Sequence, residues 1–384
     1  MRLARPLRVR TVSTWLPATV ETVDAAVARG ALAADEAAAT GYRQLPVSGT
    51  EAAPEMAVRA AGDCLRRAGC DPLDVDLLAH AWTYHQGHDF WSPAHFVADG
   101  VGAAHALPLG IQQMCNGGAC ALEVVAAWLQ ADPRLDAALV TTADRFCDPG
   151  FDRWRGDYGL WYGDGATAAL LRSASTDGAD GQDGPDDALE LLAIVSGAAS
   201  EMETMHRGRD PFSRAPRTHS GTVDIRRTKK AFLEAGGMEP FAKAVQERVP
   251  ALIRASLAEA GIDPGDPRLR RVVLPRIGRT ALESAYLPAV AQATPAPTLD
   301  LGELTGHLGA GDLIAGFAAL VDQDLLAPGE TALVLSAGGG FTWSSAVVRR
   351  PAPRRTRPRP PAREPAKEPA RDDSRTTDSE EVAP

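Results

Sequence analysis

The chain has 384 residues, 45% hydrophobic and 23% charged, with 36 glycines and 29 prolines. That is enough to bury a large core in two domain-sized halves, and it excludes a wholly disordered or fibrous chain. The five cysteines (Cys64, Cys70, Cys115, Cys120, Cys147) have the wrong spacing for a secreted disulfide framework or a paired CxxC zinc site, and the formal charge of -10 disfavours nucleic acid and anionic lipid.

A reduced, cytoplasmic protein is therefore expected. The basic amino end lacks an apolar signal-peptide core, and no run approaches the ~20 uncharged apolar residues that span a bilayer, so no membrane partner is predicted.

Along the chain, an alanine-rich helix at 57–68 precedes an apolar strand at 75–84, and a helix at 119–129 precedes a strand at 137–142. That alternation predicts an α/β sheet with parallel strands. A Gly, Asp and Pro-rich stretch ends this first half (1–175) and supplies a linker at 176–188. The second half (189–350) repeats the rhythm, with a helix at 250–260 that takes a proline in its first turn and a strand at 271–274. A helix at 313–324 follows, then strands at 331–336 and 341–348 separated by Gly338, Gly339 and Gly340. The common order suggests an internal duplication. From 351 to 384 the chain is proline-punctuated and charged and cannot bury enough surface to offset its ordering entropy, which predicts a disordered tail.

The segment GIQQMCNGGACALEVVAAWLQ places Cys115 where a helix begins, and unpaired N–H groups and the helix dipole there favour thiolate. Gly117, Gly118 and Ala119 allow close packing. Leu122, Val124, Val125, Trp128 and Leu129 cover nearly all faces and predict a buried helix. A cysteine in such a place is otherwise one more small core hydrophobe, the role given to the other four. The run His85, His88, His95 with Asp89 lacks a zinc-like spacing, so no metal is expected. Phe90, Trp91 and Phe96 either wall a substrate pocket or pack in an interface or core. Asp164, between two glycines, is expected to hold a tight turn.

Taken together and in chain order, MCNGGACAL, YGDGATAALL (162–171), AGGGFTWSSAVV (337–348) and ATGYR (39–43) resemble the ketoacyl-acyl-carrier-protein synthase III family over Arg8 to Arg349. The resemblance implies an α/β, thiolase-like fold of two duplicated halves in five αβαβα layers. It also implies a homodimer, and an acyl-enzyme on Cys115. Two departures matter. LPRIGR puts Arg276 where that family's condensing enzymes carry histidine, and GHLGAGD puts His307 where they carry asparagine, so the decarboxylating pair is absent. Cys115, His307 and Asp312 remain as nucleophile, base and orienting carboxylate. GHLGAGD, YHQGHDFWSPAHF (84–96) and TTADRF (141–146) resemble the branch that moves acyl groups to a hydroxyl or second carrier in specialised, polyketide-type metabolism.

The expected chemistry is acyl transfer without decarboxylation. The donor is an acyl thioester of carrier-bound phosphopantetheine or coenzyme A, the acceptor is a hydroxyl, amine or carrier thiol, and no cofactor is bound. The oxyanion hole comes from the N–H of Cys115 and the loop of Gly339 and Gly340. Arg276 either binds a carboxylate or phosphate of substrate or forms a structural ion pair. An acidic carrier needs a positive surface, and the basic run 207–230 offers Arg226, Arg227, Lys229 and Lys230, unless that run is a solvated loop. The alternatives are a decarboxylating 3-oxoacyl synthase and a non-catalytic partner subunit. Retention of Cys115 at the helix start argues against the latter.

Overall fold

The computed structural model describes residues 2–173 and 188–352; apart from Ala188, Pro351 and Ala352, the expected linker and tail lie outside the described residues. Ten strands form the main sheet. They are β1 (Arg2–Trp15), β2 (Leu77–Ala81), β3 (Leu107–Ile111), β4 (Ala137–Asp144) and β5 (Gly165–Arg172), then β6 (Leu189–Ala198), β7 (Leu269–Val273), β8 (Thr298–Leu299), β9 (Thr331–Gly338) and β10 (Thr342–Arg349). Their spatial order is β8-β7-β9-β10-β6-β1-β5-β4-β2-β3.

Counted outward from the centre, each half runs first, fifth, fourth, second and third strand, so the duplication seen faintly in sequence is plain in topology. The directions repeat too. β1–β5 and β5–β4 are antiparallel and β4–β2 and β2–β3 parallel, as are β6–β10, β10–β9, β9–β7 and β7–β8 in turn. The expected parallel sheet is thus corrected to a mixed one. β10 follows β9 after a short glycine link and must return antiparallel, while helical crossovers join the parallel strands.

Five helices matter for the site: α1 (Ala53–Ala68), α2 (Pro93–Val101), α3 (Gly117–Ala131), α4 (Met238–Glu259) and α5 (Asp312–Asp322). α1 starts with Pro54 in its first turn and the Glu55 carboxylate accepting the Ala52 N–H at 2.7 Å, and it stops at Gly69 in the left-handed conformation. Its stripe Met56, Ala57, Ala60, Cys64 and Leu65 joins α2 in covering Leu78, Leu139, Ala168 and Leu170 of the first half.

α4 covers the second half in the same way, with Val245, Val249, Ile253 and Leu257 against Val272, Leu333, Leu335 and Val347. Between the two halves lie α3 and α5, whose Leu122, Val125, Leu313, Ile314 and Phe317 meet Leu7, Val140 and Leu171 from one side and Leu191, Val334 and Val348 from the other. Alternation along the strands sorts the layers, with Leu139 and Leu333 facing outward and Val140 and Val334 inward. The result is the five-layer α/β arrangement.

Two helix expectations change. α4 begins at Met238 and carries Pro250 in its interior rather than its first turn. Burial of Val245, Val249 and Ile253 on one face carries the helix through a residue that lacks the N–H for its rung. In α3, Trp128 is partly exposed because that face looks past the sheet edge at β3. Among the described residues, no helix is long and apolar enough to cross a membrane.

Candidate active site

α3 and α5 begin at the same end of the central layer, and close backbone packing brings their starts together. A β-carbon on Gly118 would lie 2.5 Å from the Ala310 carbonyl oxygen, and one on Gly117 would lie 3.2 Å from the β-carbons of Ala310 and Ala81. The two glycines after Cys115 therefore let the turn preceding α5 rest directly on the start of α3. Cys115 precedes that start and is 9% exposed. Asn116 stands at the N-cap position without a side-chain cap bond, and its Nδ2 donates instead to Ser344 Oγ at 2.9 Å, tying the first half to β10.

His307, 1% exposed, is held in extended backbone. Its N–H donates to the Trp161 carbonyl at 2.9 Å and its carbonyl accepts from the Gly163 N–H at 3.0 Å. Nδ1 lies 2.7 Å from Asp312 Oδ2, and Nε2 makes no hydrogen bond of ordinary geometry, although the Cys115 side chain acts on the ring as a hydrogen-bonding as well as a charged neighbour. Asp312 opens α5 and is fixed by two backbone donors, Leu308 at 2.9 Å and Arg276 at 3.2 Å. Burial opposes charge on His307, but Asp312 and then Cys115 outweigh it and hold the imidazole well above its usual 6.5. Burial likewise opposes ionisation of Asp312, yet His307 and then Arg276 keep its carboxyl below the usual carboxylate range. The structure thus brings Cys115, His307 and Asp312 into one site.

The glycine loop lies beside Cys115, since a β-carbon on Gly338 would stand 2.5 Å from the Asn116 nitrogen. Gly339 lies under His206, and Gly340 has φ +117. Arg276 is 4% exposed; its Nη1 donates to the Asp312 carbonyl at 2.7 Å, and the Arg276 carbonyl accepts from Tyr42 Oη at 3.1 Å. This contact of Nη1 is made to the Asp312 backbone, while the buried Nε has no hydrogen-bond partner.

Phe90 corrects another expectation. It is fully exposed, and Trp91 and Phe96 meet as a tilted pair at the surface, so neither Phe90 nor Trp91 walls an enclosed pocket within this chain. Arg226, Arg227 and Lys229 are also not the free cations expected. Arg226 pairs with Glu36 at 2.7 Å, Arg227 with Asp210 at 2.7 Å, and Lys229 with the buried Asp157. Lys230, Arg209 and Arg214 stay exposed. Asp164 does more than hold a turn: it accepts the N–H groups of Ser48 and Phe146, both at 2.8 Å, and pairs with Arg153 at 3.0 Å.

Two features were not read from the sequence. Tyr162 packs edge-on against His307 with ring centroids 5.4 Å apart and donates to Asp157 Oδ2 at 2.8 Å, and Asp157 is in turn paired with Lys229. Asp144, inside the TTADRF segment, is buried beside the His307 turn. Among the other cysteines, burial pushes the thiols of Cys64, Cys70 and Cys120 up, which keeps them unreactive.

Comparison with known proteins agrees with this fold. Residues 109–182 match the family model for 3-oxoacyl-[acyl-carrier-protein] synthase III, and residues 257–350 match its C-terminal model. A beta-ketoacyl-[acyl-carrier-protein] synthase III of Roseiflexus castenholzii is 27% identical over 312 residues, 81% of this chain and 87% of the relative. A Streptomyces coelicolor synthase III is 28% identical over 323 residues, with coverages of 81% and 87%. Among solved structures, ChlB3, described as an acyltransferase, is 33% identical with a TM-score of 0.81, covering 91% of this chain and 99% of that one. The Aquifex aeolicus synthase III shares the fold at 19% identity, with a TM-score of 0.70 and coverages of 89% and 99%.

Proposed function

The chain belongs to the 3-oxoacyl-[acyl-carrier-protein] synthase III family, and from that premise we propose that it is an acyltransferase that loads an acyl group onto Cys115 and passes it to a hydroxyl, amine or carrier thiol without decarboxylation. The observation that carries this reading is the His307–Asp312 pair, 2.7 Å apart and buried, with Nε2 making no hydrogen bond of ordinary geometry on an imidazole that Cys115 acts upon. A base so oriented suits removal of a proton from an acceptor, and position 276, where the family's condensing enzymes carry histidine, holds an arginine whose Nη1 is bonded to the Asp312 carbonyl.

In the first half-reaction, Cys115 Sγ attacks the thioester carbonyl of a carrier or coenzyme A donor. The oxyanion is met by the Cys115 N–H and by the loop of Gly339 and Gly340, and the donor thiol leaves with a proton from His307. Acylation neutralises the sulfur, which removes one of the influences that kept the proton on the imidazole. His307 is then free to accept the acceptor's proton as the acceptor oxygen, nitrogen or sulfur attacks the acyl-enzyme. Asp312 holds Nδ1 and stabilises the cation that forms. The family resemblance also supports a homodimer. β3 is an open edge strand with Leu107 exposed, and beside it lies an apolar cavity of about 310 Å³ lined by Leu77, Trp128, Ala131 and Leu135. Exposed Lys230, Arg209 and Arg214 are the cations proposed to meet an acidic carrier.

A second reading, a decarboxylating synthase, is favoured by the names of the curated relatives. Intact-mass detection of an adduct at Cys115, followed by its discharge to a panel of acceptors with carbon dioxide measured from a malonyl thioester, separates the two. Discharge without carbon dioxide is expected, while carbon dioxide release coupled to a lengthened product establishes the second reading.

A further inference from the structure

The turn that carries His307 is tied to the first half of the molecule by a buried carboxylate that neither half-reaction consumes. Asp144 ends β4 and is fully buried. Its Oδ1 accepts the N–H groups of Thr83 at 2.8 Å and Tyr84 at 2.7 Å, and its Oδ2 accepts the N–H of Ala310 at 2.9 Å. Ala310 stands between His307 and Asp312, on the turn that rests on Gly118. Gly309, at φ +59, lies so close that a β-carbon there would collide with Asp144 Oδ2. The donors facing the carboxylate are uncharged backbone groups, and His307 is the charged side chain that acts on it.

We propose that Asp144 is a positioning residue for His307: its Oδ2 grips Ala310 so that the imidazole is presented to Cys115, and its Oδ1 couples that turn to the loop leaving β2. The proposal rests on Cys115 and His307 being the reacting pair, and not on which acceptor is used.

Burial pushes the Asp144 carboxyl up to about 7, against the pull of its three backbone donors and of His307. With Oδ1 already holding two donors, the added proton falls to Oδ2 and loosens the grip on Ala310.

Asp144→Asn tests this with little change in volume. The amide oxygen keeps Thr83 and Tyr84, and the NH2 then faces the Ala310 N–H, donor against donor. The readout is the rate at which iodoacetamide alkylates Cys115, followed by intact mass as a function of pH. It needs no acyl donor, so its failure is distinct from failure of the acyl-transfer reading. Alkylation at neutral pH is expected to slow at least about tenfold in D144N, with a thermal midpoint within a few degrees of wild type and the inflection near pH 7 gone. D144N alkylating at the wild-type rate with the wild-type inflection overturns the proposal. Should D144N not fold, the ring resonances of His307 in 13C-histidine-labelled wild type decide. A step near pH 7 is expected, and a response with no such step overturns it.

Discussion

The two ring nitrogens of His307 have separate tasks, and each can be removed alone. Nδ1 is spent on Asp312 at 2.7 Å; Nε2 is the atom left to move protons. His307→Ala should leave a folded protein whose acyl-enzyme discharges about 10²–10⁴-fold more slowly, measured by intact mass after a single loading. Asp312→Asn keeps the shape but removes the charge that raises the imidazole. His307 must be neutral to accept the acceptor's proton, so wild-type discharge should rise with pH along a limb lying above 6.5, and Asp312→Asn should move that limb downward while lowering its plateau. Cys115 is legible in the sequence as a nucleophile at a helix start, whereas His307 and Asp312 are reached through the family resemblance, which sets His307 at that family's asparagine with Asp312 five residues on. Asp144 and the Asp157–Lys229 pair are not legible, since their partners are far apart in sequence, as with the N–H of Ala310, 166 positions from Asp144, and the Tyr162–Asp157 bond, though it spans only five residues, carries no motif of its own.

Where two helices start against each other, a methyl group is too much. Gly118→Ala places a β-carbon 2.5 Å from the Ala310 carbonyl, and backbone cannot rotate away as a side-chain tip would. A loss of about 1–3 kcal/mol by chemical denaturation is expected, with a larger proportional loss of Cys115 acylation because the displaced turn carries His307. On the helix Ile225–Glu234, charge that reads as a docking surface is partly internal wiring. Lys229→Met should cost about 3–5 kcal/mol because it strands the buried Asp157, whereas Lys230→Glu should leave stability unchanged and raise the KM of a carrier-bound donor. Equal stability of the two variants would show that the Lys229–Asp157 pair is dispensable. The sequence distinguishes neither lysine, for the ion pair depends on a carboxylate 72 residues away. It also misplaced the start of α4, because helix periodicity alone reads Pro250 as a beginning when tertiary burial carries the helix through it.

Across the whole molecule, the duplicated topology creates the site by burying two helix starts between two half-sheets, and that burial sets a cost that depends on pH. The folded chain holds a proton on Asp144 up to about 7 where an unfolded aspartate releases it near 3.8, and it holds one on His307 above the usual 6.5. Both groups are raised on folding, so the stability they contribute is fully present below their unfolded values. It is lost as pH rises through about 7 for Asp144 and through the higher folded value for His307. Asp312 has the opposite sign, and its contribution is lost only as pH falls below the ordinary carboxylate range. Each proton difference steepens the dependence by up to about 1.4 kcal/mol per pH unit. The thermal midpoint should therefore be highest in mild acid and decline between pH 5 and 9, over the interval in which acyl discharge rises, because the same deprotonation that frees the base leaves the buried Asp312 carboxylate without its cation. Scanning calorimetry of wild type, Asp144→Asn and His307→Ala across that interval apportions the decline. Asp144→Asn should flatten its part below about pH 7 and His307→Ala its part above. Three parallel curves would mean that neither group's proton is coupled to folding.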